Sequence, residues 1–135
     1  MTTLDMLKAA PQQLTVDASL VADAIDAALA CEAVCSACAS ACLSESDPAA
    51  MATCIRDDLD CADICGTTAR HLSRLNASDK QLTVSLLTAC IEACVQCAGS
   101  CAPHAEHHEH CRLCESACRR CEEACQKLLD AVKAA

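Results

Sequence analysis

The chain contains no Trp, Tyr or Phe, and only two Gly and three Pro in 135 residues. Each shortage excludes something. With no aromatic ring to stack on a base and a net charge of −9, nucleic acid is a poor partner. Few Gly and Pro argue against an all-β protein built on tight turns. No run of about eighteen apolar residues is present, which speaks against a membrane span. The opening, Met1 to Lys8, shows no basic segment leading into an apolar one and no twin Arg. A cytoplasmic location is therefore expected. Disorder is not, because 53% of the residues are apolar.

Cysteine is what the chain has in excess, 16 residues in all, well beyond the level of a Cys-dominated sequence. Where thiols are kept reduced, such density points to metal rather than to disulfide staples.

The remaining composition, rich in Ala, Leu, Glu, Asp and Ser, is helical. Thr3 is placed to cap a short helix over residues 4–10, which Pro11 ends. A long helix begins near Asp17 and runs to about Leu43. Residues 44–48 form a loop, with Asp47 as N-cap and Pro48 at the first helical position. The next helix reaches about Leu75, and Asn76-Ala77 turns the chain. Ser78 with Gln81 reads as a capping box opening a third long helix, to about Cys101. Ala102-Pro103 interrupts it, and a last helix runs from His104 to about Val132. Short loops between long helices make neighbours antiparallel. The expected fold is all-α: a single domain over residues 1–135, an up-down-up-down four-helix bundle over about 17–132, preceded by a short N-terminal helix.

Heptads place every cysteine on an a or d position. The spacings are 4, 3, 4 for Cys31, Cys35, Cys38 and Cys42, then 7, 4 for Cys54, Cys61 and Cys65. They are 4, 3, 4 again for Cys90, Cys94, Cys97 and Cys101, and 3, 4, 3, 4 for Cys111, Cys114, Cys118, Cys121 and Cys125. The inward seam of all four helices is thus lined with sulfur. Along each seam, aliphatic residues (Val21, Leu72, Leu87, Leu128, Val132) lie at one end. In an antiparallel bundle the cysteines then stack towards the 44–48 loop and Pro103. Gln13-Leu-Thr-Val16 and Gln81-Leu-Thr-Val84 also precede helices of the same Cys spacing, a weak sign of two related hairpins.

Sixteen inward cysteines are too many for small hydrophobic filler, since Leu or Ala packs a bundle better. Seven Cys-x-x-x-Cys pairs are present. Residues four apart on a helix have Cβ atoms about 5–6 Å apart, wider than the roughly 3.5–4.5 Å of a disulfide. A two-coordinate metal suits them better, since two bonds near 2.3 Å put the sulfurs about 4.6 Å apart. A continuous run of thiolates favours soft, low-coordinate Cu(I) over zinc, which wants separate tetrahedral sites. An iron–sulfur cluster normally gathers its cysteines in one loop.

Repeated C-x-x-x-C pairs, the absence of aromatics and a His-rich segment before the last helix together resemble the cytosolic copper storage proteins. The resemblance covers about residues 17–132. It implies many Cu(I) ions per bundle, held mainly by pairs of thiolates, with all sixteen cysteines named above as ligands, and assembly into homotetramers. Copper ions are then the expected partner and cargo, and no catalysis is expected. A zinc or mixed-metal reservoir is the alternative, and a redox or cluster enzyme a third reading without a nucleophile–base pair to support it. The chain departs from relatives in lacking a Met-lined mouth, with only Met51 near that end.

Three further features stand out. Asp58 occupies an a position between Cys54 and Cys61. A charge there is either paired with a metal or a histidine, or hydrated where the bundle splays. His71 lies off the seam beside Arg70 and reads as a surface residue. His104, His107, His108 and His110 precede or open the last helix. His104 and His107 continue the cysteine register, so the expectation is that histidines line an open end. Likeness to the family favours His104 and His108 as ligands and His110 as a helper.

Overall fold

Asp17 starts the bundle: its side chain accepts from the Ser19 backbone N–H at 2.9 Å, satisfying one of the orphan donors of a helix N-terminus. The computed structural model describes residues 2–76 and 80–135. Its helices are α1 (Thr3–Ala9), α2 (Ala18–Leu43), α3 (Ala52–Ser73), α4 (Lys80–Cys101) and α5 (Glu109–Ala134). Helix α2 has 26 residues, about 39 Å at 1.5 Å per residue. It packs beside α3 and α5, and α4 closes the ring against the same two helices. The all-α, antiparallel four-helix bundle expected from the sequence is what forms.

Two helix starts differ from the expectation. The cap of α1 is Thr2, not Thr3, because Thr2 and Asp5 complete a reciprocal capping box at 3.1 Å in each direction. Thr3 instead donates its hydroxyl to Asp26 Oδ1 at 2.6 Å, tying α1 to α2. Helix α5 begins at Glu109, five residues later than the periodicity suggests. Ala102–His104 is a 3₁₀ turn, and His108 is an extended N-cap residue. The chain must reverse direction between antiparallel α4 and α5, and that reversal uses the histidine segment. Pro48–Met51 is likewise a 3₁₀ turn leading into α3. The Ser78 capping box and part of the Asn76-Ala77 turn lie outside the described residues.

The core is stratified as the seams imply. All sixteen cysteines are buried, none more than 2% exposed. Val21, Ala24, Ala28, Leu72, Leu87 and Leu128 form an aliphatic plug at the other end, fully buried. Within Lys80–His104 an 18-residue window reaches a mean hydropathy of 1.5, long and apolar enough to cross a membrane by length and composition. Its apolar character here serves a core helix: Leu87 and four cysteines point inward.

Candidate metal centre

The sulfurs form one connected column. Along single helices, Sγ–Sγ distances are 3.7 Å for Cys31–Cys35 and Cys61–Cys65, 3.9 Å for Cys121–Cys125 and 4.0 Å for Cys38–Cys42. Between helices they are similar: 3.7 Å for Cys35–Cys114 and Cys35–Cys118, 3.8 Å for Cys65–Cys90 and Cys31–Cys61. Four-sulfur groups with ligand atoms within 4.8 Å of one another overlap by shared members. Cys31 belongs both to the group with Cys65, Cys94 and Cys121 and to that with Cys35, Cys61 and Cys118. Cys35 and Cys118 recur in the next group, with Cys97 and Cys114. None of the sixteen is in a disulfide.

These spacings bear on coordination. With bonds near 2.3 Å, sulfurs around a three-coordinate metal lie about 4.0 Å apart, and around a two-coordinate one about 4.6 Å apart. The column is thus close to the first spacing and a small side-chain rotation short of the second. Overlap lets one thiolate bridge two ions, which suits a soft, low-coordinate metal such as monovalent copper.

No Lys or Arg is buried among the described residues, so nothing inside offsets the charge of a thiolate. Burial accordingly pushes the Cys42 thiol up, and Cys111 up to about 11. Cys54 goes the other way. It lies only 3.2 Å from Cys101, and hydrogen bonds from Cys101 and Cys38 favour its thiolate.

Asp58 sits within the column, fully buried. Its Oδ1 accepts from Cys97 at 3.1 Å, Cys114 at 3.2 Å and Cys101 at 3.7 Å, and its Oδ2 lies 3.9 Å from Cys54. Burial, reinforced by those thiols, pushes its carboxyl up to about 10. The bundle does not splay there to admit water, and the partners found are sulfurs. With Cys38, Cys54 and Cys101, Asp58 forms a mixed group within ligand distance.

At the mouth, Cys38, Cys42, Cys54 and Cys111 form the outermost group of sulfurs. His110 Nδ1 is 3.4 Å from Cys38 Sγ and 3.6 Å from Cys111 Sγ. His108 and His110 stack with centroids 5.6 Å apart, and His104 follows at 6.1 Å from His108. Met51 is buried in the core.

Residues 17–130 match the copper storage protein family. The chain belongs to the copper storage protein family. A copper storage protein of Streptomyces lividans, solved loaded with 10 copper equivalents, is 47% identical, with a TM-score of 0.93 over 96% of this chain and 99% of that one. The cytosolic copper storage protein of the same organism, solved with five coppers, is 49% identical, with a TM-score of 0.81 over 83% of this chain and 93% of that one. YhjQ, an uncharacterized cysteine-rich protein of Bacillus subtilis (strain 168), is 32% identical over 93 residues, 69% of this chain and 81% of its own.

The geometry revises three readings of single residues. His104 and His107 do not extend the cysteine register, because the helix that would carry it starts later; His107 is exposed. The histidine brought against the thiols is His110. His71 is not a surface residue: it is 7% exposed, and its Nε2 pairs with Thr83 Oγ1 of α4 at 2.8 Å. Positions beside an a/d seam are also covered in a bundle, and a facing Thr was the available signal. Two polar residues escape a seam-based reading altogether. Asp57, 6% exposed, accepts from Gln96 Nε2 at 2.9 Å and from the Ser100 hydroxyl, clamping α3 to α4. Glu45 meets the mouth histidines from the α2–α3 loop.

Proposed function

We propose that this copper storage family member holds many Cu(I) ions as cargo in the cytosol, without catalysing a reaction. The observation that carries the reading is the continuity of the sulfur column: sixteen buried, unpaired thiols joined by overlapping groups and close Sγ–Sγ contacts. A catalytic site needs one well-placed metal, whereas a column of interchangeable sites suits capacity. The relatives solved with five and 10 coppers support copper as the cargo over zinc. The proposed ligands are the sixteen cysteines, Asp58 beside Cys54 and Cys101, and His110 at the mouth, with His104 and His108 further out. The thiols lose their protons on binding, so each Cu(I) replaces roughly one H⁺ and the core stays near neutral.

Assembly into a homotetramer is part of the proposal. Exposed aliphatic side chains on every bundle helix support it: Leu29, Leu43, Leu59, Leu82, Val95 and Leu113. Light scattering of the purified protein tests this, and a monomer at micromolar concentration refutes it.

Anaerobic titration of the reduced apo-protein with Cu(I), against a chromophoric chelator, tests storage. The expected endpoint approaches about one Cu(I) per cysteine, since thiolates bridge. A tight endpoint of only about one to four ions would sink the storage reading, because it would describe isolated sites.

A further inference from the structure

Glu45 lies just beyond the end of α2, where its backbone N–H donates to the Cys42 carbonyl at 3.2 Å. Its position is therefore tied to a helix that carries two mouth cysteines. The carboxylate reaches two of the mouth histidines: Oε2 is 2.9 Å from His108 Nδ1, and Oε1 is 3.5 Å from His110 Nε2. All three side chains are half-buried, between 24% and 29% exposed.

An imidazole binds a metal through the nitrogen that carries no proton. A carboxylate beside one ring nitrogen keeps the proton there and leaves the other bare. In His110 the nitrogen facing Glu45 is Nε2, and the nitrogen facing Cys38 and Cys111 is Nδ1. His110 Nε2 is buried and has no hydrogen-bond partner. Its separation from Glu45 is that of an ion pair, and a closing of about 0.5 Å makes the bond. In His108 the held nitrogen is Nδ1, which leaves Nε2 bare. That is the less common form of a neutral histidine in water.

We infer that Glu45 is the positioning residue of the mouth, fixing the tautomer and orientation of His108 and His110 so that both present a bare nitrogen to incoming Cu(I). His110 does so beside Cys38 and Cys111, where the imidazole can hand the ion to sulfur. The carboxylate acts through the two histidines it contacts. This inference rests on the copper-storage reading for its purpose, though not for its first test.

That test needs no copper. Two-bond ¹H–¹⁵N spectra of the full-length, reduced apo-protein at pH 8, with ¹⁵N-histidine, report each ring's tautomer; loss of signals in His108→Ala and His110→Ala assigns them. In the native protein His108 is expected as Nδ1–H. In Glu45→Ala it reverts to Nε2–H, and in Glu45→Gln, whose amide oxygen still accepts, it is mixed. Stopped-flow loading with Cu(I) should slow about tenfold in Glu45→Ala, less in Glu45→Gln, with total capacity unchanged. His108 found as Nε2–H in the native protein, or loading equally fast in Glu45→Ala, overturns the inference. If the native protein itself takes up few Cu(I) ions, the storage reading fails, while the tautomers still decide the role of Glu45.

Discussion

Asp58 keeps a proton that an aspartate in water has lost by neutral pH. Its carboxyl is buried among thiols and raised to about 10, against the usual value near 3.9. Between those values the folded apo-protein holds more protons than the unfolded chain, so stability falls as pH rises. For one such group the slope is at most about 1.4 kcal/mol per pH unit. Asp58→Asn keeps the shape and removes the proton requirement. Reduced apo-protein carrying this change should be more stable than the native apo-protein at pH 7.5, with a smaller difference at pH 5. Anaerobic urea unfolding at the two pH values measures both. Parallel pH dependence in the two proteins would show that Asp58 ionises freely. The inward register of Asp58 was legible in the sequence from its heptad position, whereas its full burial was not. Its partners were not, because Cys97 and Cys114 lie 39 and 56 residues away on other helices. The cysteines themselves were legible to the last residue, since a seam is a property of spacing alone. His71 was misread because its burial depends on what faces it across α3 and α4.

Helix starts follow the same division between local and non-local causes. Asp17 caps α2 through bonds to the next residues, and such a signal is readable in one dimension. The start of α5 depends on where α4 ends and how much chain a reversal needs. His104 to His108 are competent for a helix, yet the turn consumes them, and this is why the register argument for His104 and His107 fails. The glycines offer a test at this scale. Gly99 lies within α4 with open space where a Cβ would be, so Gly99→Ala should stabilise the apo-protein by about 0.5–1 kcal/mol through helix propensity. At Gly66, within α3, a Cβ would come 2.8 Å from the Glu32 carboxyl carbon. That group is the end of a flexible side chain, so Gly66→Ala should gain less than Gly99→Ala without unfolding the bundle. Urea midpoints of the two variants check the order. A loss of stability in Gly99→Ala would mean that another surface covers that face of α4.

For the molecule as a whole, the question is how a core built for ions stands without them. Val21, Leu72, Leu87 and Leu128 pack the far end completely. Reduced cysteines fill the rest as small apolar side chains, provided that they remain protonated. With no buried Lys or Arg among the described residues, the neutral thiol is the favoured state for most of the column. The reduced apo-protein should therefore already be helical and cooperatively folded. Cu(I), binding only the native column, should then raise its stability, by about 4 kcal/mol once free ion stands a thousandfold above its dissociation constant. The protons decide whether this picture of the core is right. If each Cu(I) meets neutral thiols, loading must release close to one H⁺ per ion, leaving the overall charge near −9. Weakly buffered anaerobic titration with a pH indicator measures that ratio, and circular dichroism of the same apo-sample reports its fold. A random-coil spectrum before copper is added would mean that the metal folds the chain. A ratio far below one would mean that the thiols were already ionised, and the apo-core would then carry a buried negative charge that its aliphatic plug and sulfur packing cannot offset.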